Sequence, residues 1–385
     1  MNRLENLPKC KFGRFFNFYI LECEVYAYAL SRLLATKYTV KKERFESMEQ
    51  MCSVFGMEEK ELAGVFGGDM ELVKGIVRAG MLEDAAKELD WARSKGVKVL
   101  FIWDERYPML LRECSDAPLM LYYVGNGDLN GHFPISVVGT RLASSYGREA
   151  CYGLVSSVSL DNVMIVSGMA YGIDASAHKA ALELDLPTVG VLPCGIDEIY
   201  PAHHRELARR ILDKGGVVTE FPPGSGVRKW HFLKRNRIIA GMSRATVVVE
   251  SRIKGGAMRT AEYANSYDRE VYAIPGRLCD TNSDGCNFLI SRNMAQICTY
   301  SSFRESCGLG QSASPYGDNQ KSLFLFDSDK KEKILLSLKI NSGRDVEWLC
   351  VDTGFSLEEV APLMLELELE GRVVSDKWGR YKLKC

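Results

Sequence analysis

From residue 97 the chain repeats one pattern, a short and almost uniformly apolar run followed by a stretch of helical periodicity. The runs are VKVLFIW (97–103), ISVVG (135–139), VMIVSG (163–168), PTVGVL (187–192), GVVTEF (216–221), ATVVVE (245–250), REVYAI (269–274) and AQICTY (295–300). Between them fall YGREACYGLVSSVS, DASAHKAALEL, RELARRILDK, KRNRIIAGM and AMRTAEYANSY. Strands without polar alternation are those buried on both faces of a parallel sheet. Their alternation with helices predicts a doubly wound, mostly parallel α/β sheet.

The flanks read differently. Residues 1–94 show no strand pattern, and VYAYALSRLLATKY, MEEKELAGVF and LEDAAKELDWARSKG predict short helices broken by glycines. They are read as a small helical domain that caps the sheet domain, with an interaction module as the alternative. The sheet domain spans 95–300. Residues 301–322 are rich in Ser and Gly and read as a flexible linker. Residues 323–385 hold three helical stretches and then a strand pair around Lys377-Trp378-Gly379, the element order of a winged helix.

A chain of 385 residues with 46% apolar and 26% charged residues is ordinary globular material, enough for about two to three domains. No run approaches a membrane span, and the N-terminus lacks a secretory apolar segment. Twelve cysteines without a C-x-x-C pair fit reduced thiols in a cytoplasm better than disulfides or zinc. The formal charge of −1 gives no global electrostatic case for a nucleic-acid partner.

Locally the picture reverses. From His203 to Arg259 there are thirteen Lys and Arg against four acids, a net +9. Its centre, Arg228-Lys229-Trp230-His231-Phe232-Leu233-Lys234-Arg235-Asn236-Arg237, has five cations, two aromatics and no acid. Cations that neutralise phosphates and rings that stack bases suit single-stranded nucleic acid. The same composition also describes core aromatics beside a solvated helix face. Glycine loops Gly139-Thr140-Arg141, Ser167–Asp174 and Lys254-Gly255-Gly256 lead from strands into helices, where amide groups and the helix dipole favour anions. Gly-x-x-x-Gly at 168–172 equally marks tight strand-to-helix packing, and neither a dinucleotide fingerprint nor a Walker lysine is present. The five histidines have no metal-ligand spacing, His178 reads as structural, and no nucleophile elbow occurs, so no single motif indicates catalysis, a cofactor or a metal.

In order along the chain, YPMLLRECSDAPLMLYYVGN, VVGTR…SYG, SGMAYGIDASAHKAAL, GVLPCGIDEIYPAHHREL, TEFPPGSG, FLKRNRIIAGMSRATVVVE, REVYAIPG and GCNFLI resemble the DNA-processing protein A family, DprA or Smf. The resemblance covers about residues 97–300. It implies a Rossmann-like domain that is not an enzyme and needs no cofactor. Such proteins bind single-stranded DNA taken up in natural transformation, form homodimers through that domain, and load the RecA recombinase. Carried over by position, the DNA pocket falls on Arg141, on Ser167, Gly168, Ala170 and Gly172, and on Arg228, Lys229, Trp230, Phe232, Lys234, Arg235, Asn236 and Arg237. Arg141 and Lys229 would contact phosphates, Phe232 would stack a base, and the amides of Gly168 and Gly172 would cap a phosphate. Arg235 and Asn236 could equally hold the loop in shape.

The chain departs from the family pattern at Leu233 (usually Pro), His204 (usually Asn), Gly255-Gly256-Ala257 (usually Ser-Gly-Ser) and Asn293 (often Gly). The tail resembles the family's winged helix. Its helix SLEEVAPLMLELELEG carries Glu358, Glu359, Glu366, Glu368 and Glu370 and no cation, which points to a protein partner and not a DNA groove. Leu357, Val360, Leu363, Met364 and Leu367 are its expected packed face. Two competing readings are a pure scaffold and a nucleoside-monophosphate phosphoribohydrolase-like enzyme of the related lysine-decarboxylase-like fold. The latter rests on Lys254-Gly255-Gly256-Ala257-Met258-Arg259-Thr260-Ala261-Glu262, with Glu262 as its carboxylate.

Overall fold

A computed structural model describes residues 15–34, 47–78, 80–309, 330–331, 333–338, 343–369, 372–376 and 380–383. The chain divides into two compact units, Met1–Gly310 and Gln311–Cys385.

The first unit opens with five helices: α1 (Phe15–Leu34), α2 (Met48–Ser53), α3 (Glu59–Val65), α4 (Met70–Ile76) and α5 (Met81–Ser94). Then follow β1 (Lys98–Phe101), α6 (Met109–Glu113), β2 (Met120–Gly125), β3 (Phe133–Val138), α7 (Ser145–Ser157), β4 (Val163–Ser167), α8 (Ile173–Glu183) and β5 (Thr188–Val191). The unit continues with α9 (Arg205–Ile211), β6 (Gly216–Thr219), α10 (Lys229–Gly241), β7 (Ala245–Val248), α11 (Gly256–Ser266), β8 (Glu270–Ala273), α12 (Asp284–Ser291), β9 (Gln296–Ile297) and α13 (Tyr300–Ser306).

The strands form one sheet in the order β1-β2-β6-β5-β4-β3-β7-β8-β9. From β6 to β9 every neighbouring pair is parallel, while β2 joins β6, and β1 joins β2, antiparallel. This is the doubly wound α/β sheet that the apolar runs predict, with an antiparallel edge they do not announce. The last run shrinks to the two residues of β9.

Alternate residues of the strands serve opposite faces. Ile135, Val137, Val163 and Ile165 pack with α7, α8 and Phe303, whereas Val138, Met164 and Val166 pack with α6, α10, α11 and α12. A third cluster joins Ala27, Tyr28, Leu30, Leu72, Val73 and Leu89 of the N-terminal helices to Phe101, Met120, Tyr122 and Val217 of the sheet. At that junction the Tyr122 hydroxyl donates to Tyr28 Oη at 2.8 Å, and Tyr28 donates to Glu88 at 2.9 Å.

The parallel strands run outward from β3. From it the chain winds through β4, β5 and β6 on one side, then returns to β7, β8 and β9 on the other. The carboxyl ends of β3 and β7 therefore lie side by side where the winding reverses, the place where open α/β sheets form a crevice. Glu250, fully buried just past β7, bridges the two loops there. Its carboxylate accepts the Ser144 amide at 2.9 Å and the Ser144 hydroxyl at 2.5 Å, and its carbonyl accepts the Thr140 amide at 2.7 Å.

Asn293 stands in the left-handed region at φ 53°, a conformation asparagine accepts more readily than most residues. The stretch read as linker opens instead with α13, whose Phe303 is fully buried edge-on to Tyr272 at 4.9 Å. Residues 310–329 lie outside the described residues.

The second unit has helical residues at 330–331 and 333–338, helices Val346–Thr353 and Leu357–Leu369, then the antiparallel pair β10 (Val373–Ser375) and β11 (Tyr381–Leu383). Val360, Leu363, Met364 and Leu367 of the third helix close a core with Ile334, Leu338 and Leu349. Leu357 does not join them: it begins the helix and is exposed. Glu359 pairs with Lys330 and Glu366 with Lys331, both at 2.7 Å, and Glu368 accepts the Ser375 hydroxyl at 2.6 Å.

Phe303→Ala decides where the sheet domain ends. A linker residue would cost nothing, whereas loss of this ring should destabilise the first unit by about 3–5 kcal/mol in a urea titration.

Candidate nucleic-acid interface

A cavity of about 890 Å³ opens at the reversal point of the sheet. Its walls come from the loop after β3 (Gly139–Leu142), from Ala170 and Asp174 after β4, from Arg252 and Lys254–Ala257 after β7, and from α10. From α10 it receives Lys229, Phe232, Leu233 and Asn236, positions i, i+3, i+4 and i+7 of one helical face, with Arg235 and Ile239 beside them. Arg141, Lys229, Arg252 and Lys254 are exposed, and Phe232 is half-buried. The Arg141 guanidinium lies over the Phe232 ring, 4.6 Å from its centroid, and Tyr200 meets that ring edge-on at 5.7 Å. Two of the expected contacts thus touch each other through a cation–π interaction.

Beyond Leu233 the polar residues of α10 are buried, Arg235 and Asn236 while still lining the cavity. Lys234, Arg235, Asn236 and Arg237 are all under 9% exposed. Glu220 Oε2 takes both Lys234, at 3.3 Å, and Arg237, which also donates to the Asp116 carbonyl. Burial lowers the Lys234 pKa, and the Glu220 carboxylate opposes that shift. Arg235 donates to the Gly168 carbonyl and, at 2.6 Å, to the Val191 carbonyl, and burial pulls its pKa down to about 10. Asn236 donates to the Gly256 carbonyl at 3.2 Å. Lys234, Arg235 and Arg237, expected at a DNA surface, are interior fastenings because each has an anionic or carbonyl partner there.

The glycine loop is likewise committed. Ser167 is fully buried and donates to the Val137 carbonyl at 2.6 Å. The carboxylate of Asp174 accepts the amides of Gly168 and Ala170, the latter at 3.4 Å, and burial raises its pKa against the pull of Arg235. An internal carboxylate therefore stands where Gly168 was expected to cap a phosphate. Gly172 serves the backbone: at φ 76°, a Cβ there would lie 2.2 Å from the Thr140 carbonyl. Of this loop, Ala170 and Asp174 reach the cavity. His204 caps the loop from outside, its Nδ1 donating to the Met169 carbonyl at 2.8 Å.

Arg228 and Trp230 are exposed but line a different cavity from Lys229 and Phe232. Two cations of the interface, Arg252 and Lys254, escape a reading centred on 228–237. Their signal is position, in the loop after β7 beside the reversal of strand order. Glu262, the carboxylate of the hydrolase reading, pairs with Arg259 at 2.6 Å on an exposed turn of α11 and is not among the residues lining the cavity.

Comparison with known proteins gives this geometry its family. Residues 98–305 match the model of DNA recombination-mediator protein A, and residues 326–377 match the DprA winged helix domain. The chain belongs to the DprA/Smf family. Protein Smf of Escherichia coli is 32% identical over 286 residues, which cover 73% of this chain and 76% of that protein. The crystal structure of DprA from Streptococcus pneumoniae superposes with a TM-score of 0.57 at 29% identity, covering 77% of this chain and 98% of that one. DprA from Helicobacter pylori, whose structure addresses its single-stranded DNA binding mode, superposes with a TM-score of 0.50 at 28% identity over 55% of this chain and 94% of that one. The winged-helix tail is thereby also a DprA feature. Among the described residues, no helix is long and apolar enough to cross a membrane.

Two stability predictions follow from these contacts. Glu220→Ala leaves Lys234 and Arg237 buried without their counter-charge and should cost about 3–5 kcal/mol in denaturant unfolding. His178 is fully buried, with Nδ1 2.7 Å from Thr188 Oγ1 and no partner for Nε2, and burial lowers its pKa to about 3. Between that value and an unfolded pKa of about 6.5 the unfolded chain binds the extra proton, so stability falls as pH falls. Acidification from pH 7 to about 5 should remove about 2 kcal/mol through this group, and His178→Asn should flatten that part of the profile.

Proposed function

We propose that the protein captures single-stranded DNA in the cavity at the sheet's reversal point, by charge and stacking and without reading sequence. The observation that carries this is the convergence of four exposed cations, Arg141, Lys229, Arg252 and Lys254, around the half-buried Phe232. Phosphates would lie along the cations, and a base would stack at the Arg141–Phe232 pair. Ala170 and Asn236 form the floor. Lys234, Arg235 and Arg237 act behind it, by fixing α10. The DprA relatives support the reading, the Helicobacter pylori protein most directly, since its structure concerns single-stranded DNA binding.

On this reading the protein is a cytoplasmic, non-catalytic homodimer, associating through the Rossmann-like domain. It protects DNA entering by natural transformation and hands it to the RecA recombinase. The tail, whose third helix has no cation, contacts protein.

Fluorescence anisotropy with a labelled mixed-sequence oligonucleotide tests the reading. With four phosphates engaged, affinity for the single strand should fall roughly 50-fold between about 50 and 200 mM salt, and it should exceed affinity for duplex. Arg141→Ala and Lys229→Ala should each lower the salt slope by about 0.7 and weaken all sequences alike. Phe232→Ala should weaken binding with little change in slope. Because Arg141 and Phe232 touch, their double variant should lose less than the two single losses combined. Absence of binding at low salt would overturn the reading.

A further inference from the structure

Beyond the first turn of α10 a second cavity, of about 490 Å³, lies between the sheet domain and the N-terminal helices. Three features of its wall fit together. Trp230 is 46% exposed there and stands edge-on to Phe221 at 6.1 Å, so it offers a broad aromatic surface to the cavity. Arg32, Arg78 and Arg228 supply cations from three separate segments. Arg32 pairs with Glu88 at 2.5 Å and Arg78 with Asp84 at 2.8 Å. Pairs as exposed as that of Arg78 hold little energy and can exchange partners.

The third feature is the unusual one. Glu220, only 3% exposed, lines this cavity, and Oε2 accepts both of its cations. Its other oxygen, Oε1, is buried with no hydrogen-bond partner. Buried polar atoms are nearly always partnered, so an orphan oxygen on a carboxylate that lines a cavity calls for a ligand that brings a donor.

An aromatic surface, cations and one free anionic acceptor together describe a nucleotide. We propose that this cavity is a second nucleotide-binding pocket, separate from the DNA-capture cavity. The base stacks on Trp230, an exocyclic amino group donates to Glu220 Oε1, and the phosphate sits on Arg78 and Arg228. The same chemistry could come from a free mononucleotide or from one base of a bound strand.

Isothermal titration of the full chain with dAMP tests this. Binding is expected, weakened roughly fivefold or more by Trp230→Ala and by Arg78→Ala and largely kept by Trp230→Phe. Arg141→Ala should leave it intact, which separates this pocket from the capture cavity and its failure from failure of that reading. dTMP has no amino group and carries carbonyls on both sides of its one ring N–H, so it should bind at least roughly fivefold more weakly. If dAMP and a saturating oligonucleotide bind together, the pocket takes a free nucleotide. If they compete while Arg141→Ala still binds dAMP, it takes a base of the strand. No detectable dAMP binding at millimolar concentration overturns the proposal. So does binding that Arg141→Ala abolishes and Trp230→Ala spares, or equal affinity for dTMP.

Discussion

Four consecutive polar residues of α10, Lys234 to Arg237, lie inside the first unit, and the loops around the sheet's reversal point are arranged to satisfy them. Between them they reach the ends of four strands. Lys234 and Arg237 hold Glu220 after β6, Arg235 holds carbonyls at Gly168 after β4 and Val191 in β5, and Asn236 holds Gly256 after β7. A desolvated charge without such partners would be far costlier than an apolar side chain in its place. Apolar packing could match the stability of this arrangement, but it could not fix the direction of four loops at once. Hydrogen bonds to named carbonyls do that, and they place the exposed Lys229 and the half-buried Phe232 against the β3 loop.

This explains what was legible in the sequence and what was not. The sheet was readable because strands buried on both faces have an apolar signature and their loops a fixed place in the winding. β2 was obscured because LMLYYVG follows a proline-broken segment, and antiparallel pairing leaves no mark in a strand whose first four residues are all buried. The basic run at 228–237 was legible as composition and misleading as a surface. A count of charges carries no direction, whereas a helix turns about 100° per residue and sends neighbouring residues to different sides. Lys229 and Phe232 line one cavity and Arg228 and Trp230 another, while Lys234, Arg235 and Arg237 are buried, Arg235 at the edge of the first cavity and Lys234 at the edge of the second. The helical period alone could separate 229, 232, 233 and 236 from the rest. It could not say that Glu220, fourteen residues before Lys234, waits inside as counter-charge.

The glycine loop makes the same point from the other direction. Gly168 and Gly172 invite a reading as an anion cradle, but Asp174 is part of the same loop and already takes the amides of Gly168 and Ala170. Its nearest cation, Arg235, comes from α10, so the loop and the helix share one charge balance. The N-terminal helices are read similarly: glycine-broken and without strong motifs, they still share one continuous apolar cluster with β1, β2 and β6. Their packing on the sheet forms the far wall of the cavity that Trp230 faces.

What remains exposed limits how DNA could be held. Reading a base edge takes donors and acceptors free to meet it. In the larger cavity Arg235 Nη1 is committed to two carbonyls, its Nε to Asn236 Oδ1, and the Asn236 amide nitrogen to Gly256, so these groups are engaged within the protein. Point charges at Arg141, Lys229, Arg252 and Lys254 and one aromatic ring are left, and these engage any phosphate and any base alike. The interior bonds that shape the site also remove its capacity for sequence readout. Capture without sequence preference, as proposed, would therefore follow from how α10 is fastened. Glu220, whose buried Oε1 is left without a hydrogen-bond partner, lines the other cavity, and in the pocket proposed there base identity would matter.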